Sequence, residues 1–268
     1  MQIKIVVDNN TFVDHFFMGE PASSFYLEVD GLKILLDTGY SDILLSNARK
    51  MGIDLFQLTH IVLSLGHNDH SNGLRYLDNT IPLSGLKVIS HPGCFNQKTV
   101  GNQSIGAPFS EEEIRSKSNY IPSETPLFLS ENCVFLGQIP QKNDFEIRSP
   151  FGRVNVNGEW QDDYLLDDSA VALKTPKGLF LISSCSHSGI CNVVEYAKEV
   201  CKEDRIAGIL GGFHLFDVND RLTRTIEYLE SCHVERIYPC HCVSLLAKAK
   251  MMEKLPVFET GVGLTIDL

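Results

Sequence analysis

Short apolar runs that end abruptly in polar residues set the rhythm of this chain. Met1 to Asp8 is such a run and reads as a strand; it is too short for the apolar core of a secretory leader. Phe25 to Gly39 holds two apolar stretches around Asp30-Gly31, the pattern of a tight hairpin. Ser41 to Met51 follows with helical spacing, and Asp37, at the end of the hairpin, could cap it. His60 to Leu65 is a buried-strand run that turns polar at once, with a helix expected from near Asp69. Lys87 to His91 reads as another strand. From Cys94 to Pro126 the pattern gives way to Gly, Pro, Ser and Asn, with one amphipathic piece at Glu111 to Lys117. A long irregular stretch of this kind predicts a lid-like insertion at about 94–126.

Order returns with a strand over Leu127 to Gly137 and a hairpin over Ser169 to Ser184. The last third alternates helix and strand: helices at Asn192 to Lys202, Asp220 to Cys232 and Val243 to Lys254, and strands at Arg205 to Gly211, Arg236 to Pro239 and Val257 to Leu268. Hairpins combined with strand–helix–strand units, and no linker-like stretch, predict one α/β domain of two packed sheets flanked by helices. The early and late halves share this grammar, which is compatible with duplication.

Composition narrows the function classes. A formal charge of −11 over 268 residues disfavours non-specific binding to nucleic acid or anionic membrane. No apolar run reaches the roughly 18 residues that a membrane-spanning helix needs. The eight cysteines are scattered through a chain that is not small, so reduced thiols in a cytoplasmic setting are expected rather than disulfides. Oligomeric state is not readable.

The chemistry gathers where the apolar runs end. His67, Asp69 and His70 follow Gly66 directly after the strand His60–Leu65. His187, His214 and His241 each follow another expected strand, in Ser184-Cys185-Ser186-His187, Gly211-Gly212-Phe213-His214 and Pro239-Cys240-His241-Cys242. Imidazole and carboxylate are donors for a borderline divalent ion, and strand ends hold them rigidly while leaving them open to substrate. One such histidine is more often a hydrogen-bonded core residue. Four strand ends bearing histidine point instead to a shared role. His15, His91 and His233 lack the setting, and His60 opens its strand.

Taken in order, several segments resemble the metallo-β-lactamase-fold superfamily. They include Leu35-Leu36-Asp37-Thr38-Gly39, Gly66-His67-Asn68-Asp69-His70-Ser71-Asn72-Gly73-Leu74, Asp167-Asp168-Ser169-Ala170, Cys185-Ser186-His187-Ser188-Gly189, Gly211-Gly212-Phe213-His214 and Pro239-Cys240-His241-Cys242. More narrowly the chain is similar to the branch that contains 7,8-dihydropterin-6-ylmethyl-4-(β-D-ribofuranosyl)aminobenzene 5′-phosphate synthase. The resemblance implies an αββα sandwich with a metal site at one edge between its sheets. It also implies two ligand sets, His67 with His187 and Asp69 with His70 and His241, and gives Asp37 the role of orienting the ligands. The superfamily motif H-x-H-x-D-H has Leu65 at its first histidine. One ion is therefore expected rather than two, zinc first, with iron or manganese as alternatives. Cys185 stands about where a bridging carboxylate would fall, and the readings as ligand and as buried thiol both stay open.

The function implied is a metal-dependent hydrolase of a small, phosphorylated molecule, with Asp69 and His214 as catalytic side chains and Lys142 and His214 as substrate contacts. A surface lysine and a metal-binding histidine are the respective alternatives for Lys142 and His214. Two rival readings remain: a pterin-type condensing synthase that releases diphosphate, and a degenerate member that binds a ligand without turnover.

Overall fold

The structure, a computed structural model, describes residues 1–268. The chain forms two compact units. The first comprises residues Met1–Glu124, Ser149–Asp167 and Gly261–Leu268, and the second Thr125–Arg148 and Asp168–Thr260.

The first unit is built on a seven-stranded sheet. From one edge its strands are Thr265–Asp267, Gln2–Val7, Ser24–Val29, Leu32–Leu36, His60–Val62, Lys87–Ser90 and Asn119–Pro122. The first four pair antiparallel and the rest parallel. The hairpin turns at Asp30 and Gly31, whose φ values of 49° and 77° give the backbone twist that a two-residue connection requires. Leu44 from helix Ile43–Lys50, Leu74 and Leu77 from helix Leu74–Asp78, and Ile114 from helix Glu111–Lys117 bury against Leu35, Ile61 and Val88 of the sheet and Leu63 just beyond it.

The second unit has a six-stranded sheet, ordered Ile237–Pro239, Ile206–Gly211, Gly178–Ser183, Val171–Thr175, Cys133–Phe135 and Leu127–Ser130. Its first three strands are parallel and the others antiparallel. Helices Ile190–Cys201, Asp220–Ser231 and Leu245–Met251 cover it with Val193, Val194, Leu222, Leu229 and Met251. Helix Ile190–Cys201 has no side-chain cap of its own. Glu146 supplies one instead, accepting from the N–H groups of Cys191 (3.0 Å) and Asn192 (2.8 Å). That carboxylate fills the space a side chain at Gly189 would need: a Cβ there would lie 2.3 Å from it.

The structure departs from the hydrophobic pattern in four places. Leu127 to Gly137 is a hairpin rather than one strand, because the polar pair Glu131-Asn132 turns the chain. The helix expected from Asp69 is split into Asn68–Ser71 and Leu74–Asp78. The break has a local cause: the carbonyl of His70 accepts from Thr38 N–H (2.7 Å) and Thr38 Oγ1 (3.0 Å). The terminal strand is confined to Thr265–Asp267, and it pairs with Gln2–Val7. Finally, the stretch 94–126 carries strands Lys98–Val100, Gln103–Ser104 and Asn119–Pro122. The first two join Arg153–Val156 and Glu159–Asp162 in a separate four-stranded sheet, closed by a turn at Asn157-Gly158. No helix is long and apolar enough to cross a membrane.

Candidate metal centre

In the first unit the strand end after Val62 is locked by one carboxylate. Asp37 sits at φ 56°, a left-handed conformation unusual for a residue with a side chain. One carboxylate oxygen accepts from Ser64 N–H (2.7 Å), and the other from Ser64 Oγ (2.6 Å). The second oxygen also lies 2.8 Å from Nδ1 of His70. An imidazole whose Nδ1–H is held by a carboxylate is fixed in one tautomer, with Nε2 left as the electron-pair donor. That Nε2 lies 3.6 Å from Oδ2 of Asp69. His67, one turn earlier, is buried and stands 5.7 Å from the Phe151 ring, centroid to centroid. Burial pushes its pKa down to about 4 against the partial opposition of Asp167 and Asp69, so it is neutral at pH 7 and able to bind a cation. The backbone here is tight. A Cβ on Gly66 would lie 1.9 Å from the Cys94 carbonyl, and one on Gly73 would lie 1.9 Å from that of Thr38.

Beneath Gly66 lies a buried ion triad that the pattern of the sequence does not reveal. Lys98, only 2% exposed, donates to Asp163 and Asp167 at 2.8 Å each. Asp167 accepts from Gly66 N–H at 2.8 Å with its other oxygen, tying the triad to the histidine segment. Burial alone would lower the Lys98 pKa and raise that of Asp167, but the mutual charges outweigh it and keep both ionised. The same unit holds a recess of about 530 Å³ lined by His91, Asn96, Lys98, Gln161, Tyr164 and Asp167 among others.

In the second unit the parallel strands Gly178–Ser183, Ile206–Gly211 and Ile237–Pro239 deliver His187, His214 and His241 just beyond their carboxyl ends. Glycine lets these ends close up: a Cβ on Gly211 would lie 1.8 Å from the Ser183 carbonyl, and one on Gly212 would lie 2.5 Å from Sγ of Cys242. His214 and His241 both have φ of 50°, strained values of the sort that cluster at functional sites. Two thiols sit among them. Cys185 Sγ lies 2.9 Å from Cys242 Sγ, 3.5 Å from His187 Nε2 and 3.7 Å from His214 Nδ1. The His187 and His214 rings stand 4.2 Å apart between centroids. Burial alone would raise the Cys242 pKa, but the Cys185 hydrogen bond together with His214 and His241 holds it well below the usual thiol range. Asp168 accepts from the backbone and hydroxyl of Ser188, at 2.7 and 2.5 Å, and so fixes the loop after His187.

The expected residues thus fall into two groups. His67, Asp69, His70 and Asp37 stand together in the first unit, and Cys185, His187 and His214 in the second. Leu65 is fully buried. Lys142 forms an ion pair with Glu199 at 2.7 Å and lies over the Tyr196 ring, on helix Ile190–Cys201. Lys98 and Cys242 were missed. Lys98 lies in a three-residue strand too short to show a period, and Cys240-His241-Cys242 does not say which thiol points inward. None of the eight cysteines is in a disulfide.

Residues 18–92 match the family model described as the metallo-beta-lactamase superfamily. A protein of Methanocaldococcus jannaschii described as uncharacterized is 34% identical over 94% of this chain and 94% of its own length. The chain belongs to the metallo-beta-lactamase superfamily. The 7,8-dihydropterin-6-methyl-4-(beta-D-ribofuranosyl)-aminobenzene-5′-phosphate synthase of the same organism is 28% identical, over 89% of this chain and 86% of its own. A solved structure described as a metal-dependent hydrolase of the beta-lactamase superfamily superposes with a TM-score of 0.83 at 29% identity, covering 100% of this chain and 99% of that one. The mixed α/β architecture is that of the metallo-β-lactamase fold, which implies a divalent metal. The donors fit one: a neutral His67, a His70 whose Nε2 is freed by Asp37, and an adjacent carboxylate.

Proposed function

We propose that this protein is a metal-dependent hydrolase of small phosphorylated molecules. Asp69, His70 and His241 hold one ion tightly, while His67 and His187, short of a third histidine because Leu65 stands in its place, form a weak or empty site. The observation that carries this reading is the Asp37–His70 hydrogen bond, which orients one imidazole nitrogen as a donor beside Asp69. When bound, a divalent ion supplies Lewis acidity toward a phosphoryl oxygen and lowers the pKa of water. The chain's own residues do the rest. Asp37 fixes the tautomer of His70, Gly66 and Gly73 allow close backbone approach, and His214 meets the substrate as a hydrogen-bond donor. The recess of about 530 Å³ in the first unit is of a size that takes a small molecule. Eight cysteines, none in a disulfide, agree with a reducing, cytoplasmic setting.

The test is turnover of a panel of phosphoesters by protein stripped of metal, then resupplied with zinc or manganese. Metal-dependent release of phosphate from at least one ester is expected; no turnover with any metal would overturn the reading. A second reading follows from the synthase relative: condensation of a pterin diphosphate with an aminobenzene ribonucleotide, releasing diphosphate. Diphosphate release that requires both substrates together would favour it over hydrolysis.

A further inference from the structure

We propose that Cys185 and Cys242, with His187 and His214, form a thiolate-containing metal site carried wholly by the second unit. This deepens the reading above, because it makes good the ligand lost at Leu65, and it raises the number of ions expected per chain from one to two.

Three donor atoms of such a site already stand together. Cys185, His214 and Cys242 each offer one donor atom, and these atoms all lie within 4.8 Å of one another. His187 stands beside this group of three, with Nε2 3.5 Å from Cys185 Sγ, and a fourth bond from it needs its ring to swing toward the ion. Around a zinc ion with metal–sulfur bonds of about 2.3 Å and metal–nitrogen bonds of about 2.0 Å, tetrahedral sulfur–nitrogen edges are about 3.5 Å and sulfur–sulfur edges about 3.8 Å. The two observed sulfur–nitrogen distances, 3.5 and 3.7 Å, already match. The sulfur pair, at 2.9 Å, must open, and it is too long for a disulfide, whose bond is about 2.0 Å.

The surroundings favour a built site over two incidental core thiols. The thiols come from loops 57 residues apart, yet both are buried and meet. Gly212 leaves room for Cys242 Sγ, which any side chain at that position would exclude. The backbone N–H of His214 donates to Cys242 Sγ at 3.3 Å, a contact of the kind that steadies a sulfur ligand. His214 holds the φ of 50° that goes with this placement. Its Nδ1 faces Cys185, so ligation through that atom leaves Nε2–H for the substrate contact. Two thiolates and two imidazoles make a soft donor set that selects zinc or another thiophilic ion over magnesium or calcium.

Cobalt(II) added to the metal-stripped full chain is the probe. Wild type is expected to show thiolate-to-cobalt charge transfer in the near ultraviolet and the intense visible bands of a tetrahedral ion. Elemental analysis after zinc loading should give two ions per chain. Cys242→Ser should lose the charge-transfer intensity of one thiolate and one of the two zinc ions, while Cys240→Ser, at a neighbouring buried thiol, keeps both. Asp69→Ala should retain the thiolate band and lose the other ion. The two proposals therefore fail separately: a full ion count in Asp69→Ala overturns the assignment of Asp69, His70 and His241 and leaves this one standing. Absence of the thiolate band in wild type overturns the present inference whether or not Cys242→Ser folds. So does an unchanged band in folded Cys242→Ser, or a Cys185–Cys242 disulfide in protein purified under reducing conditions.

Discussion

The two units use one strand grammar and different donor chemistry. In each, an antiparallel hairpin feeds parallel strands whose carboxyl ends carry the histidines. In the first unit a buried carboxylate does the orienting: Asp37 grips Ser64 and His70, and Asp167 with Lys98 braces Gly66. In the second, the carboxylates Glu146 and Asp168 are used on a helix N-terminus and a loop, and the groups nearest the histidines are thiols. The comparison teaches that the topology fixes where donors stand, while a handful of side chains decides whether the set is hard or soft.

The largest effect expected from breaking either half is on turnover. Asp69→Ala should lower metal-dependent phosphoester hydrolysis by about a thousandfold or more, the scale of losing a residue on which the reacting groups depend, read from steady-state rates. Lys98→Met should be the most damaging change to stability in the first unit. It leaves Asp163 and Asp167 buried without a counter-charge, at a cost of about 3–5 kcal/mol in urea unfolding. The analogous lysine in the second unit, Lys142, pairs with a half-exposed Glu199, so Lys142→Met should cost no more than about 1 kcal/mol.

Acid should separate the units next. His67 is held neutral down to about pH 4, so between pH 6.5 and 4 the unfolded chain takes up a proton that the folded chain refuses. This contribution is intact above pH 6.5 and is lost as the pH falls through that window, by up to about 3 kcal/mol for metal-free protein. His67→Gln should flatten that part of the stability profile. The smallest change expected is in affinity: Asp37→Asn should weaken the ion held by His70 by about 10–100-fold in chelator competition, and leave the cobalt–thiolate band unaltered.

Much of this was legible from residue order. The hairpins at Asp30-Gly31 and Pro176-Lys177, the helix Glu111–Lys117 and the strand-end histidines follow from turn chemistry, periodicity and the abrupt change from apolar to polar. The four-stranded sheet was not read, because its strands have two to four residues and the outermost, Glu159–Asp162, is exposed throughout, leaving no alternation to detect. Asn157-Gly158, with Val154 and Val156 before it and Trp160 after, was the available signal, a tight-turn pair between alternating apolar residues. Lys98 illustrates a different limit: its partners lie 65 and 69 residues away, a pairing that no local pattern encodes. Cys242 is of the same kind, since its meeting with Cys185 depends on where two separate strands end.

The most direct test of the central claim is the metal content of protein purified without added metal, measured for wild type and Asp69→Ala alongside their turnover. The account predicts that Asp69→Ala carries one ion fewer per chain and has lost phosphoester hydrolysis. Asp69→Ala that keeps the wild-type complement of metal, or wild type that turns over esters with none, would contradict it.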